Sequence, residues 1–400
     1  SRVAAELTVD HRPVTGLLGL VHPGQLGEGE RSDLQFRFAV VPLPDDLDEA
    51  MVDHLRDRID FHIVTGDTDY TCDAPYPEVP ADRWTVLPGG EKVWYASAKG
   101  INRSAWRRLL REQAWSAVYI NGVYSYWFSI MPLFIGTRLR RIVAVRGMLA
   151  DGAMRQGRIK KSYFIRAMRM LRIYRRVRFQ ATNADEVKDI RRWMGEEADV
   201  VMAPNLPAHV HAARPVIAPK VPGELKLVGL ARIAVEKNTH WAIEALRGAR
   251  GAVSLDLYGP VYDQAYWQRC RALIARLPAN ITVRHHGPLE PEAVAAVLPG
   301  FHAAFMPSMG ENFGHAMLES MAAGLPLIIS DRTPWKDLER QQAGWDLPLD
   351  EPETFTAVID RLCAMDQDEY DRWSAGAFRL AERTLSDPGP VEATYRLLTE

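Results

Sequence analysis

The second half of the chain alternates short apolar runs with segments of helical periodicity. From about residue 226 the apolar runs are KLVGL, VSLDLYG, ITVRHHG, AAFMP and PLIIS, and segments such as WAIEALRG and GHAMLESMAAG separate them. Strands that alternate with helices at this spacing indicate a parallel sheet covered on both faces. The pattern therefore predicts a doubly wound α/β domain whose ligands bind beyond the carboxyl ends of the strands.

The first half shows a weaker form of the same pattern. FHIVTGD, AVYIN, RIVAVRG and ADVVMAP read as parallel strands, and segments such as RSAWRRLLREQA and ADEVKDIRRWM read as helices between them. The Pro-rich segment 204–222 lacks helical periodicity and is predicted to be the linker. We therefore expect an N-terminal domain over 1–210, a C-terminal domain over 211–385, and a C-terminal helix over 386–400 that crosses back to the N-terminal domain.

Two segments invite a different interpretation. The uncharged stretch 114–136 is about long enough to span a bilayer, but Asn, Ser and Pro interrupt it. It predicts a buried strand, a loop and a buried helix. The sequence GQLGEG at 24–29 does not lead from a strand into a helix, so we interpret it as a polar turn rather than a dinucleotide-binding loop.

Composition restricts the class of protein. The chain has 400 residues, of which 47% are apolar and 25% are charged, values typical of a soluble globular protein. Its three cysteines, Cys72, Cys270 and Cys363, are an odd number and lie far apart without a Cys-x-x-Cys pair. This excludes a small disulfide scaffold and favours a reducing compartment without structural zinc.

The formal net charge of -2 conceals a strong segregation. Residues 101–181 contain eighteen Lys or Arg and only two acids, a net charge of +16. The densest part, 155–178, has no acid and carries ten basic residues: Arg155, Arg158, Lys160, Lys161, Arg166, Arg169, Arg172, Arg175, Arg176 and Arg178. Apolar residues lie between them, so we predict a basic amphipathic helix that lies on an anionic membrane surface. A solvated helix face without a partner is the alternative. Nucleic acid would accept the same charge, but no nucleic-acid-binding motif accompanies it.

Residues 307–331 are the most informative stretch for chemistry. A strand ends near Met306, a loop with Gly310 follows, and a helix begins near Gly314. The first N–H groups of such a helix favour a phosphate group, and Glu311 and Glu319 are good acceptors for sugar hydroxyls. Either Glu taken alone is compatible with a solvated surface residue.

The loop ARIAVEKN, which follows the strand KLVGL, adds two cations. Arg232 and Lys237 are expected at the carboxyl edge of the same sheet, where they would neutralise a diphosphate. Read alone, they fit an ordinary helix-flanking salt bridge. Together with the helix at Gly314 they point to a nucleoside diphosphate, and the absence of GxxxxGK[ST] disfavours the P-loop classes.

The spacing of Glu311 and Glu319 within GENFGHAMLE, preceded by LARIAVEKN, resembles the donor-site signature of the retaining family-four glycosyltransferases. The further words VRGML, ATNADEVKDIRRW, LYGPVYDQAYW and SDRTPWKDLE resemble the branch of that family that builds bacterial exopolysaccharide and lipopolysaccharide. The resemblance covers roughly residues 60–385 in the right order. It implies the GT-B fold, in which two Rossmann-like doubly wound domains face a cleft.

The resemblance also implies roles for individual residues. Arg232 and Lys237 would hold the diphosphate and stabilise the leaving nucleotide, so that no metal and no cofactor are needed, since the nucleotide-sugar is a substrate. Glu319 would bind the ribose and Glu311 the transferred sugar. The remaining donor-binding residues would be Asn312, Phe313 and Gly314 through their backbone amides, with Gly259 and Gly287 bordering the base pocket. Retention without a protein nucleophile implies front-face substitution, in which the leaving phosphate helps to deprotonate the acceptor hydroxyl.

The chain departs from the family pattern in the N-terminal domain. SRVAAEL at the start resembles the helix that follows the first strand and its glycine-rich turn, so we expect that strand to be missing. Many relatives have a His in the strand that corresponds to AVYIN, whereas this chain has Tyr119, Ile120 and Asn121 there. Asn121 would bind a sugar or be a buried structural residue. Arg146 is the better candidate for a phosphate of donor or acceptor. His315 lies beside the donor loop, where it would contact the sugar, whereas His285 and His286 are interpreted as structural.

These observations predict transfer of a hexose from a nucleotide-sugar, in particular a UDP-sugar, to a lipid-linked saccharide in bacterial surface polysaccharide synthesis. The enzyme would be cytoplasmic and peripheral on the inner face of the cell membrane. Two alternatives remain: a nucleotide-sugar epimerase of similar fold, and a catalytically silent membrane-docking subunit of a polysaccharide assembly complex. The sequence leaves open the base, sugar, acceptor, linkage and oligomeric state.

Overall fold

A computed structural model describes residues 37–41, 47–68, 74–77, 79–87, 90–135, 138–155, 158–207 and 218–400 of the chain. The chain divides into two compact units. The N-terminal unit runs to Leu206 and also contains Gly389–Glu400, and the C-terminal unit is Pro207–Pro388.

The N-terminal unit is built on a mostly parallel sheet. Its described elements are β1 (Arg37–Val41), α1 (Leu47–Leu55), β2 (Asp60–Gly66), β3 (Trp84–Val86), β4 (Lys92–Ala96), α2 (Arg103–Leu109), β5 (Ala117–Asn121), a π-helical turn (Tyr126–Ile130), α3 (Met131–Ile135), β6 (Arg140–Ala144), α4 (Asp151–Arg155), α5 (Arg158–Met170), β7 (Val177–Ala181), α6 (Ala184–Met194) and β8 (Asp199–Met202). The strand order is β3-β4-β2-β1-β5-β6-β7-β8. Neighbouring strands are parallel except β3 with β4.

The C-terminal unit holds a second, wholly parallel sheet in its described residues. Its elements are β9 (Glu224–Leu230), α7 (Thr239–Ala245), β10 (Ala252–Tyr258), α8 (Gln264–Ile274), β11 (Ile281–His285), α9 (Pro291–Val297), β12 (Ala303–Met306), α10 (His315–Ala322), β13 (Leu327–Ser330), β14 (Gly344–Leu347), α11 (Pro352–Ala364) and α12 (Gln367–Leu385). The order is β11-β10-β9-β12-β13-β14. The last helix, α13 (Gly389–Thr399), belongs to the N-terminal unit.

The central strands are apolar because both faces of each sheet are covered. All five residues of β5 are buried, as are all four of β12. In α13, Leu397 and Leu398 join the buried cluster that contains Leu55 of α1, and Arg58 donates to Glu392 Oε2 at 3.2 Å. The α/β class predicted from the sequence is confirmed by these two layered sheets.

The described part of the uncharged stretch, residues 114–135, folds as predicted into a strand, a loop and a helical segment. β5 is followed by the π-helical turn and by α3, in which Met131 and Leu133 are buried. Among the described residues, no helix has the length and apolar character needed to cross a membrane.

The predicted helix over 155–178 is wrong in its extent. The helix α5 ends at Met170, and the chain then turns and enters β7 at Val177. The buried guanidinium of Arg141 donates to the carbonyl oxygens of Ile173 at 3.4 Å and Arg175 at 2.5 Å, which holds the turn. Pairing of β7 with β6 and β8 therefore prevailed over the local helical pattern.

Some sequence predictions lie outside the described residues: the polar turn 24–29, the N-terminal SRVAAEL, Cys72 and most of the linker 204–222. The first strand predicted from the sequence, FHIVTGD, corresponds to β2. The structure has an earlier strand, β1, which lies in the sheet between β2 and β5. Cys270 and Cys363 are buried free thiols.

A buried histidine makes the stability of the C-terminal unit dependent on pH. The Nδ1 atom of His302 accepts the N–H of Lys226 at 3.1 Å, and its Nε2 atom lies 3.3 Å from the carbonyl oxygen of Pro219. Burial, and to a smaller extent Lys220 and Lys226, lower the pKa of His302 to about 4 from 6.5. The folded state therefore keeps this ring neutral where the unfolded chain protonates it.

Above about pH 6.5 the ring is neutral in both the folded and the unfolded chain, so the free energy of unfolding keeps its full value. As the pH drops toward 4, the unfolded chain takes up a proton that the folded chain does not, and we expect this residue to lower the free energy of unfolding by up to about 3 kcal/mol. Urea unfolding at pH 7.5 and 4.5 measures the change. His302→Asn keeps an acceptor for Lys226 but cannot take up a proton, so its pH dependence should be smaller. Equal pH dependence in the two proteins would show that His302 does not couple folding to pH.

Candidate functional site

The loops that follow β9 and β12 are tied together at the carboxyl edge of the C-terminal sheet. Asn238, in the left-handed conformation with φ 61°, donates through Nδ2 to the carbonyl oxygen of Pro307 at 3.1 Å. The N–H of Met309 donates to the carbonyl oxygen of Glu236 at 2.8 Å. Because β9 and β12 are neighbours, the two loops that the sequence singled out separately form one structure.

Lys237 and Glu311 are brought into direct contact. Lys237 Nζ lies 2.6 Å from Glu311 Oε1, and the hydroxyl of Ser308 donates to the same oxygen at 2.9 Å. The two charged side chains are only 20% and 16% exposed. A charge-assisted bond of this length fixes both groups, so the predicted phosphate-binding cation and the predicted sugar-binding carboxylate lie side by side.

Arg232 is held more loosely. Its guanidinium lies 3.3 Å from Glu236 Oε1, and the two side chains are 43% and 52% exposed. An ion pair this open to solvent contributes about 0–1 kcal/mol. The helix-flanking salt bridge therefore forms, and it is weak enough for an incoming anion to displace.

An open pocket of about 200 Å³ lies at the carboxyl ends of β9 and β10. It brings together Arg232, Gly259 and Glu319, three residues predicted for donor binding. Its lining consists of Leu230, Ala231, Arg232, Tyr258, Gly259, Pro260, Pro288, Leu289, Val294 and Glu319. Gly287 lies next to it, since the Gly259 N–H donates to the Gly287 carbonyl oxygen at 2.7 Å.

Two glycines are required by the backbone around this pocket. Gly259 has φ 147°, and a Cβ atom there would lie 2.0 Å from the carbonyl oxygen of Ala231. Gly314, with φ 79°, precedes α10, and its Cβ would lie 2.8 Å from Met317 Sδ. Without a Cβ, both positions let the chain turn closely at the sheet edge.

His285 and His286 support the wall of the pocket. The ring of His286 stacks on Tyr258 at a centroid distance of 4.7 Å, and its Nε2 lies 2.5 Å from Asp256 Oδ1. The Nε2 of His285 lies 2.8 Å from the Gly259 carbonyl oxygen. Burial, and then Asp256, raise the pKa of Tyr258, so this wall presents a neutral phenol. The structural role predicted for the two histidines agrees with these contacts.

Sequence reasoning missed Trp335 as a contact of the loop that is predicted to bind the donor. Its indole N–H donates to the carbonyl oxygen of Phe313 at 2.8 Å, and its ring lies 3.3 Å from where a Cβ on Gly314 would be. Phe313 also contacts His315, with ring centroids 4.6 Å apart. The segment SDRTPWKDLE contained this residue, but only tertiary contact shows that it holds the loop 310–314.

Asn121 and Arg146 lie together in the N-terminal unit. Asn121 ends β5 and is buried, and its Oδ1 accepts from Arg146 Nε at 3.0 Å. Both interpretations of Asn121 remain compatible with this contact. In the described part of the chain, no three His, Cys, Asp or Glu side chains are grouped as metal ligands.

Comparison with solved structures identifies the fold. Anabaena HepE in complex with UDP-glucose superposes with a TM-score of 0.65 over 91% of this chain and 98% of that chain, at 13% identity. WaaG, a glycosyltransferase involved in lipopolysaccharide biosynthesis, superposes with a TM-score of 0.59 over 90% of this chain and 99% of that chain, also at 13% identity. The chain therefore has the GT-B fold, as the sequence predicted.

Sequence comparison shows which family the C-terminal unit resembles. Residues 215–379 match the model of the glycosyl transferases group 1. The putative colanic acid biosynthesis glycosyltransferase WcaL of Escherichia coli K12 is 27% identical over 181 residues, which are 44% of this chain and 43% of WcaL. The chain thus spans less than half the length of the curated relatives it matches. The match lies in the C-terminal unit, which is similar to the glycosyl transferases group 1, and the resemblance predicted from the sequence is confirmed.

Proposed function

We propose that this chain transfers a hexose from a nucleotide-sugar to a saccharide acceptor in surface polysaccharide synthesis. The observation that carries the proposal is the pocket with Arg232, Gly259 and Glu319, together with the Lys237–Glu311 pair on the adjoining loops. Two cations and two carboxylates therefore lie at one edge of a parallel sheet, where such folds bind their ligands, and the proposal assigns the cations to a diphosphate and the carboxylates to two sugars.

A UDP-sugar is the donor that the comparisons favour. HepE is described in complex with UDP-glucose, and it shares the fold of this chain. In the proposed complex the ribose binds Glu319, the diphosphate binds Arg232 and Lys237, and the sugar binds Glu311 and the amides of 312–314. Tyr258 and Gly287 border the base.

The proposed reaction retains the configuration at the anomeric carbon. The bond from that carbon to the phosphate oxygen breaks, and a bond to the acceptor oxygen forms on the same face. The acceptor proton passes to the departing phosphate oxygen. Lys237 and Arg232 stabilise the negative charge that grows on the nucleotide, an electrostatic contribution that is already oriented before reaction.

Substitution of either member of the Arg232–Glu236 ion pair tests the donor site. Arg232→Gln is expected to weaken UDP binding about 10- to 100-fold, because it removes charge-assisted bonds to the diphosphate. Glu236→Gln removes the competing carboxylate at 3.3 Å and is expected to leave UDP binding equal or a few-fold tighter. Isothermal titration measures both. Unchanged binding in both variants would assign Arg232 to a surface ion pair alone.

A lipid-linked acceptor on an anionic membrane is the second part of the proposal. The helix α5 exposes Ile159, Tyr163 and Met170 by 74%, 67% and 78%, beside exposed basic residues such as Arg166 and Arg169. Apolar side chains next to cations are the combination that binds the headgroup region of an anionic bilayer. Such docking would place the enzyme at the inner face of the cell membrane, next to its acceptor.

Liposome flotation tests this surface. Binding is expected to require anionic lipid and to weaken at least several-fold in Arg166→Glu/Arg169→Glu and as salt increases, since each basic residue contributes about 1 kcal/mol. Arg247→Glu/Arg276→Glu changes the net charge equally at exposed positions of the C-terminal unit and should bind like the wild type. Equal binding to neutral vesicles would refute the electrostatic account.

A further inference from the structure

A network of polar side chains crosses the carboxyl edge of β5–β8 in the N-terminal unit. Arg146 donates to Asn121 Oδ1 at 3.0 Å, to the Tyr119 hydroxyl at 3.1 Å and to Asn205 Oδ1. The Tyr119 hydroxyl donates to Gln180, and Gln180 Nε2 donates to the Ala203 carbonyl oxygen at 2.8 Å. Four successive parallel strands therefore fix one guanidinium at the edge where α/β sheets bind ligands.

The backbone at this position is strained. Arg146 adopts φ 52°, a left-handed conformation that costs a non-glycine residue roughly 1 kcal/mol or more. The following Gly147 donates its N–H to Glu186 Oε1 at 2.6 Å. The strain places the guanidinium beside Tyr119, Asn121 and Asn205, which suggests a binding function rather than a packing one.

Asn205 is the unexplained member of the network. Its side chain is 3% exposed, and its Oδ1 is bonded to Arg146. Among the described residues, however, no hydrogen-bond acceptor reaches its Nδ2 atom. A buried amide donor left unpaired costs about 1–3 kcal/mol, and native proteins keep few of them. The cost is recovered if a ligand oxygen accepts from this nitrogen.

We infer that Asn205 Nδ2 and the Arg146 guanidinium together bind a phosphoryl oxygen of the acceptor substrate. Both groups present N–H donors, and the guanidinium fork matches phosphate oxygens. The nearby carboxylate of Glu186 already accepts from Gly147 N, from Thr182 N at 2.6 Å and from Thr182 Oγ1 at 2.8 Å. The inferred oxyanion site rests on the contacts of Arg146 and on the unpaired Nδ2 of Asn205. That the phosphate belongs to an acceptor rests on the proposed function.

Titration of the full chain, saturated with UDP, separates this site from the donor site. Inorganic pyrophosphate and farnesyl diphosphate are the probes. Both are expected to bind the UDP-saturated wild type, and both affinities should fall at least tenfold in Asn205→Asp, where a carboxylate oxygen replaces the amide nitrogen while Oδ1 still meets Arg146. Asn205→Ala should show the same loss. Asn102→Asp makes the same charge change at the N-cap of α2 and should bind like the wild type.

UDP affinity and the midpoint of thermal unfolding are expected to stay near wild-type values in Asn205→Asp. Tighter binding of farnesyl diphosphate than of pyrophosphate, lost in the same variant, supports a lipid-linked phosphate as the ligand. Wild-type pyrophosphate affinity in Asn205→Asp, or no pyrophosphate site once UDP is saturating, would overturn the inference. If pyrophosphate binds through Asn205 but UDP does not bind at all, the oxyanion site stands and the proposed donor site fails.

Discussion

Gly259→Ala is expected to destabilise the C-terminal unit by about 3–5 kcal/mol and to abolish nucleotide binding. The added Cβ would lie 2.0 Å from the Ala231 carbonyl oxygen and 3.0 Å from the Arg232 backbone nitrogen, and neither atom is on a flexible side chain. The backbone at φ 147° is also unfavourable for alanine. The residues displaced first are those that carry Arg232 into the pocket, so urea unfolding and UDP titration should both report the change.

Gly287→Ala is the matched control. Gly287 borders the same pocket with φ 81°, but no atom lies within 4 Å of a Cβ built there. Only the backbone preference for glycine is lost, so we expect the free energy of unfolding to fall by about 1–2 kcal/mol and UDP binding to be retained. Equal losses in the two variants would mean that the close approach of Gly259 to Ala231 is not what shapes the pocket.

Lys237→Met is expected to lower the turnover of a UDP-sugar by on the order of 10²–10³, mainly in kcat. The ammonium is 20% exposed and is fixed by Glu311, so it is oriented before the nucleotide departs. In the proposed reaction, its removal takes away charge stabilisation that is needed most while the anomeric bond breaks. Steady-state kinetics of UDP release, with kcat and KM determined separately, measures the effect.

Two variants separate the charge from the fold. Lys226→Met removes the same side chain from an exposed position near the opposite end of β9 and should leave kcat unchanged. Lys237→Met/Glu311→Gln also removes the carboxylate that the single variant leaves half-buried, so its thermal unfolding reports whether the single variant is merely destabilised. A wild-type kcat in Lys237→Met would remove this residue from the proposed reaction.

The C-terminal unit was predictable because its central strands are short, continuous apolar runs. The loops that carry the candidate site residues come directly after these strands in the sequence. All four residues of β12 are buried, and the loop after it carries Glu311. Once β9 and β12 are known to be parallel strands of one sheet, the meeting of Lys237 with Glu311 follows from topology. The exact partners do not follow, since Glu236 and Ser308 read as ordinary polar loop residues.

The N-terminal unit was less predictable because long-range contacts decide its local structure. The segment after Met170 has a helical pattern of cations and apolar residues, yet Arg141, about thirty residues earlier, holds it in a turn. Asn205 was read as part of a Pro-rich linker, and its contact with Arg146 joins residues 59 positions apart. No local pattern indicates either interaction.

Release of UDP from a UDP-sugar by the purified chain tests the central claim most directly. UDP-glucose and related donors are incubated with the wild type, Glu319→Ala and Arg232→Ala, and free UDP is measured over time. We predict slow release by the wild type that is abolished in both folded variants. If the folded full chain fails to bind UDP and also fails to release UDP from every donor tested, the proposed function is contradicted.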